Sequence, residues 1–350
     1  MVRTTDERSD RGLVPEDFRR FLVADDFARY GLTPDRHARS PQYIQLELTD
    51  RCNLACAGCV RAVHASTGSE FGYDAFVALL ADLPDLLHVS FVGAGEALIV
   101  RDLPRHVAAC TERNVFTSCN TNGLLVRRRL RPALDAGLGL IALSVDGADE
   151  ETLSDMRSGL RLSQLTTALR EAVLLVAETG ARISAAVTLS ARNVASFPDI
   201  VSYIADQGVR EITVESLHHW GNDKSLNGES LFALDPAGVV PMIEAGLAEA
   251  VRRDLKLTIF DYSRLWTRPE RLLCPWPWDS MYITCNGEVT PCCVHIEADG
   301  NNVVGNVREA LIAEIWDGRP LLELRSLLRR GGGWDSCLDC VYRKEFGRVI

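Results

Sequence analysis

The chain has 350 residues, 47% of them hydrophobic and 25% charged, which is material for one large α/β domain plus a smaller companion and excludes a stapled mini-protein or a disordered tail. Against 38 basic residues stand 48 acidic ones, for a net charge of -10, a field that argues against nucleic acid and suits cationic ligands. No apolar run reaches membrane-spanning length and the first residues show no apolar signal segment, so no membrane partner and a cytoplasmic location are expected.

Residues 1–40 read as an N-terminal extension with a short amphipathic stretch at 18–30. From there, β-rich runs recur at 43–49, 87–92, 115–118, 140–145, 183–189 and 211–216, with helical periodicity between them. In the longest gap Leu162, Leu165, Leu169, Val173 and Val176 keep helical spacing, and Gly180 stands where a C-terminal cap belongs, as Asn114 and Gly137 do elsewhere. Such alternation predicts a parallel sheet with helices outside it, as an open doubly wound sheet or as part of a (β/α) barrel. After about 260 the chain turns rich in Trp, Pro, Cys and Gly, with a hairpin signature of 281–284, Asn286-Gly287 and 289–290. The expected division is an extension at 1–40, a barrel at 41–260 and a small cysteine-bearing domain at 261–350.

The 11 cysteines suit metal or redox chemistry better than disulfides in a reducing compartment. Cys52, Cys56 and Cys59 form a CxxxCxxC motif directly after the first strand. Three thiolates there can hold three irons of a cubane and leave the fourth open to a chelating ligand; a zinc site lacking one ligand and incidental buried cysteines are the alternatives. Cys274, Cys285, Cys292, Cys293, Cys337 and Cys340 gather at the other end, on a hairpin followed by CxxC. That arrangement suits a structural zinc or a closed cubane, and spacing does not choose between them.

The first motif resembles that of the radical S-adenosylmethionine (radical SAM) superfamily, and three further strand ends agree in order: Gly93-Ala94-Gly95-Glu96, Thr121-Asn122-Gly123 and Ser144-Val145-Asp146-Gly147. The resemblance implies a partial (β/α)6 TIM-like barrel in which Cys52, Cys56 and Cys59 hold a 4Fe-4S cluster. It further implies that Gly93, Gly95 and Glu96 receive the methionyl ammonium, and that Asn122, Ser144 and Asp146 contact ribose and carboxylate. Glycines would allow close approach and the acid would add charge-assisted hydrogen bonds. Gly58 departs from the family in lacking an aromatic side chain, and Ala97 in replacing a proline; adenine packing is therefore assigned to later loops, with Val187 and Asn193 as candidates. Arg157 reads as a solvated surface arginine. The C-terminal part looks like a Twitch domain, the shortened form of SPASM, a β-hairpin and helix. This likeness implies an auxiliary 4Fe-4S cluster on Cys274, Cys292, Cys337 and Cys340, with Cys293, Cys110 and Cys119 as buried packing.

Enzymes of this kind use S-adenosylmethionine and a one-electron donor such as flavodoxin or ferredoxin to make a 5'-deoxyadenosyl radical that abstracts hydrogen from carbon. Cys285, unassigned at the hairpin turn, reads either as buried packing or as a thiol that returns a hydrogen atom to a substrate radical, and the second role is the one assigned to it here. This predicts an epimerase of an aminoglycoside, aminocyclitol or oligosaccharide antibiotic. A dehydrogenase of a sugar alcohol, in which Cys285 is dispensable, is the alternative, followed by peptide modification; a non-catalytic iron-sulfur or zinc scaffold is the reading from another class. His218, His219 and Trp220 are placed to line the opening, with Glu215 and Asp146 as partners for small-molecule glycoside hydroxyls.

Overall fold

The computed structural model describes residues 37–62, 66–218, 220, 225–226, 228–259, 274–296, 302–338, 340 and 348–349. The amphipathic stretch at 18–30 and His219 lie outside them. Strands β1 (Tyr43–Leu46), β2 (His88–Phe91), β3 (Phe116–Thr121), β4 (Leu140–Ser144), β5 (Arg182–Leu189) and β6 (Glu211–Ser216) are mutually parallel in that order. β2 is buried at every position and β4 at all but the last; β4 accordingly runs apolar, while the polar positions of β2 are satisfied within the sheet, His88 and Ser90 both hydrogen-bonding to the Ser118 hydroxyl at 2.8 and 3.0 Å. The helix Leu162–Thr179 turns Leu165, Ala168, Leu169, Ala172 and Val176 inward and ends at Gly180, whose φ of 74° only glycine adopts without strain.

Two features exceed the sequence reading. A seventh strand, β7 (Lys256–Ile259), pairs in parallel with β6. The C-terminal hairpin, β8 (Ser280–Ile283) and β9 (Glu288–Thr290), also joins the same sheet: β8 is parallel to β1, with Ile44 opposite Met281 and Leu46 opposite Ile283. β10 (Gly305–Asn306) and β11 (Arg348–Val349) close the two edges, each antiparallel to its neighbour. The incomplete barrel and the cysteine-bearing hairpin are thus one hydrogen-bonded surface. Among the described residues no helix is long and apolar enough to cross a membrane.

The single helical stretch that the sequence pattern gives over 307–328 is two helices in the structure, Ile312–Trp316 and Arg319–Arg329, broken at Gly318, where a side chain would meet the carbonyls of Glu314 and Ile315. Arg325 fixes the second piece: it lies over the Trp316 ring and donates to the carbonyls of Pro277 (2.6 Å) and Trp316 (2.8 Å) while almost fully buried. Arg325→Met strands both carbonyls and is expected to cost about 2–4 kcal/mol, read as a lowered urea midpoint at unchanged slope.

Candidate functional site

The C-terminal ends of β1 to β6 surround a pocket of about 290 Å³, close to the roughly 300 Å³ at which small-molecule sites begin. Cys52, Cys56 and Cys59, on the loop after β1, line it together with the 93–96 loop, Asn122, Ser144, Asp146, Arg157 and Glu215. Sequence reasoning had brought these strand ends together through motif order, and the structure places them in one cavity.

The two loops at the base of the pocket are locked to each other. Glu96 N–H donates to the Arg51 carbonyl at 2.8 Å, and a Cβ on Gly95 would stand 2.0 Å from the Thr49 carbonyl oxygen. A Cβ on Gly93 would stand 2.6 Å from the side chain of Glu47. Both glycines are therefore needed where the loop packs against the end of β1, and their backbone also borders the pocket. Glu96 is held by Leu98 N–H (3.1 Å), Thr121 O–H (2.8 Å) and Asn122 N–H (2.8 Å). Burial pushes its carboxyl up and these donors pull it back. Two carboxylate oxygens have about four acceptor sites, so three donors leave room for one more from a ligand.

Asn122 reaches across from the end of β3 and donates to Asn53 Oδ1 at 2.7 Å and to Cys52 Sγ at 3.7 Å. It supports the cysteine loop besides lining the pocket. Asp146 accepts from Thr188 N–H (2.7 Å) and from Arg157 Nε (2.6 Å). Arg157 is thus not the solvated arginine that its neighbours in sequence suggest: its side chain is largely buried in an ion pair and is the one arginine or lysine of the described lining. Burial pushes the Cys56 thiol up, and the Arg157 charge draws it back. Glu215 projects from β6 into the same pocket, open to solvent there, while the enclosing protein and the Asp146 charge push its carboxyl up. Among the described residues no protein donor holds it.

Several expectations change at the rim. Val187 and Asn193 are fully buried behind the wall; Asn193 donates to the carbonyls of Asp146 (3.0 Å) and Thr188 (2.9 Å). Alternation along β5 turns Ala186 and Thr188 to the pocket instead. Trp220 supplies the aromatic surface absent at Gly58, donating its indole N–H to the Gly58 carbonyl at 3.1 Å, with the His218 ring tilted against it at 4.8 Å between centroids. Cys285 does not line the pocket. It is 1% exposed, and its backbone N–H and thiol both turn to Glu47. Burial and the Glu47 charge push its thiol far up. A hydrogen-atom donor must face the substrate, so this geometry removes Cys285 from that role. Cys110 and Cys119 are fully buried, the former pushed up to about 12, in keeping with packing.

Cys274, Cys292, Cys337 and Cys340 line a second, small and mostly apolar cavity with Leu324 and Leu328. Burial pushes the Cys292 thiol well up, and the neighbouring Cys293, Cys274, Cys337 and Cys340 push it further. Gathering thiols in an apolar shell is unfavourable for their charged forms unless a metal offsets it. Four thiols on such a lining are a donor set that would hold an iron-sulfur cluster.

Residues 46–178 match the radical SAM superfamily, and residues 274–341 match SPASM, an iron-sulfur cluster-binding domain. The chain thus pairs a radical SAM region with a C-terminal SPASM region, a pairing that implies S-adenosylmethionine and two iron-sulfur clusters as cofactors. It is similar to the PqqA peptide cyclase of Granulibacter bethesdensis, 25% identical over 314 residues that cover 87% of this chain and 80% of that protein. It is also similar to the tungsten-containing aldehyde ferredoxin oxidoreductase cofactor-modifying protein of Pyrococcus furiosus, 24% identical over 86% of this chain and 88% of that one. In fold it matches Streptococcus suis SuiB bound to precursor peptide SuiA, with a TM-score of 0.63 at 15% identity over 85% of this chain and 68% of that chain. The likeness to peptide cyclases overturns the carbohydrate epimerase and dehydrogenase expected from sequence, and with them the glycoside or aminocyclitol substrate. Acidic net charge, on which the cationic substrate leaned, is a property of the whole surface and selects no substrate class.

Proposed function

We propose that this chain modifies a peptide by hydrogen abstraction at a side-chain or backbone carbon. The observation that carries the reading is its similarity, along most of both chains, to PqqA peptide cyclases. Cys52, Cys56 and Cys59 are assigned to the first 4Fe-4S cluster. Cys274, Cys292, Cys337 and Cys340 are assigned to an auxiliary one, the Twitch-like ligand set. The thiol donor sets, the free acceptor site on Glu96 and the pocket beside them fit these groups.

When bound, the first cluster and S-adenosylmethionine supply a carbon radical able to take hydrogen from an unactivated position. The residues of the chain provide placement. The 93–96 loop and Glu96 would accept from the cofactor ammonium, Ser144 would border the ribose, and Trp220 over Gly58 would pack against adenine. Asp146 acts indirectly, by fixing Arg157 and Thr188 at the pocket wall. Glu215 faces the substrate and accepts a hydrogen bond or proton from an amide, hydroxyl or ammonium of the peptide. The location supported by composition is the cytoplasm.

Anaerobic incubation of the reconstituted enzyme with reductant, S-adenosylmethionine and synthetic peptides encoded by short reading frames beside its gene tests the reading. A peptide lighter by two hydrogens, formed with 5'-deoxyadenosine and mapped by tandem mass spectrometry, is the expected result. Turnover confined to non-peptide substrates would overturn it. In the same assay Glu215→Gln is expected to lower peptide turnover about 100-fold and to leave S-adenosylmethionine affinity unchanged.

A further inference from the structure

We infer that Glu47 is a positioning residue through which the C-terminal hairpin sets the geometry of the 93–96 loop, so that affinity for S-adenosylmethionine depends on contacts made outside the barrel. Glu47 follows β1 and is only 4% exposed. Its backbone N–H donates to the Ile283 carbonyl at 2.9 Å, extending the pairing of β1 with β8. Its carboxylate then bridges two parts of the chain that are remote in sequence. Oε2 accepts from Ala94 N–H at 2.8 Å and from the Tyr282 hydroxyl at 3.0 Å, while Oε1 accepts from Cys285 N–H at 3.2 Å.

One of these donors is in the cofactor loop and two are in the hairpin. The fit is close enough that Gly93 has no room for a Cβ against Glu47. A buried carboxylate held only by neutral donors is costly where an apolar side chain would fill the space, and its placement joins the hairpin to the loop at the point where that loop borders the pocket. The same bridge gives Cys285 its place: its backbone and thiol complete the shell around Glu47.

The inference rests on the proposed contact of the 93–96 loop with S-adenosylmethionine. Its test is equilibrium dialysis of labelled S-adenosylmethionine against anaerobically reconstituted full-length protein, with the electron paramagnetic resonance of the reduced first cluster recorded with and without the cofactor. Glu47→Gln puts an amide donor against one of the three N–H or O–H donors and is expected to weaken binding about tenfold or more; Tyr282→Phe removes one donor and is expected to weaken it about threefold. Both should change the spectral response to cofactor at wild-type iron content, which a purely structural role would leave alone. Wild-type affinity and spectra in both variants overturn the inference, and Tyr282→Phe decides alone where Glu47→Gln does not fold. Glu96→Gln separates the premise: weakened binding there with no effect in the other two sinks only the coupling, whereas three unchanged affinities sink the loop assignment as well.

Discussion

Cys56→Ala is expected to cut iron in the reconstituted protein from about eight to about four atoms per chain and to reduce 5'-deoxyadenosine formation to background, a loss of about a thousandfold or more. The size of the effect follows from what surrounds the pocket. Three thiols line it and no fourth cysteine does, so none is available to replace a lost ligand. Cys119, on β3, is fully buried in the core, and Cys285 is held at Glu47. Cys52→Ala and Cys59→Ala should behave alike, although Cys52 also accepts from Asn122 at 3.7 Å. Iron and sulfide analysis with chromatography of the nucleoside product checks the claim; unchanged iron in all three variants would remove the cluster from this loop.

The strand ends were legible because they are local. A β-rich run followed by a loop of Cys, Gly, Asn or Asp announces itself within a few residues, and all six runs became strands within a residue or a few of the expected bounds. What stayed hidden depends on partners far away in the chain. Nothing around Ser280–Ile283 says that this segment pairs in parallel with Tyr43–Leu46, because the partner lies more than two hundred residues earlier. Arg157 reads as a surface residue until Asp146 meets it at 2.6 Å. Glu47 is the clearest case. In the run Gln45-Leu46-Glu47-Leu48 it looks like the polar half of a half-exposed strand, and only the tertiary contacts with Ala94, Tyr282 and Cys285 turn it into a buried bridge. A carboxylate five residues before the first cysteine of the motif was the available signal.

Misplacing Cys285 had a chemical consequence. The Asn286-Gly287 turn implies an exposed tip, and an exposed thiol near two clusters suggests a hydrogen donor. In the fold, Cys285 is buried against Glu47. The epimerase reading was carried by that thiol and the substrate class by the Twitch resemblance and bulk charge, none of which describes the interior of the pocket. The pocket itself offers one arginine, already paired, and one carboxylate without a protein partner, Glu215. Such a lining accepts a neutral or cationic hydrogen-bond donor and by itself selects no substrate class.

Cys292→Ala should separate the two clusters functionally. Its cavity lies among the hairpin and the last helices, apart from the pocket at the strand ends, so the first cluster and its cofactor loop remain assembled. Iron should again fall to about half, yet 5'-deoxyadenosine should still form within a fewfold of the wild-type rate. Under the proposed role, modified product should instead fall by at least about a hundredfold, because the auxiliary cluster assigned to this cavity would no longer be there to accept the substrate radical's electron. Stability should fall too, since Cys292 follows β9, which through β8 reaches β1, and loss of the cluster assigned there would release three segments at once, those of Cys274, Cys292 and the Cys337/Cys340 pair. The contrast with Cys56→Ala is the informative part: one variant stops cofactor cleavage, the other uncouples it from product. One zinc and four irons per chain in the wild type would assign the second cavity to a structural ion and confine the redox chemistry to the barrel.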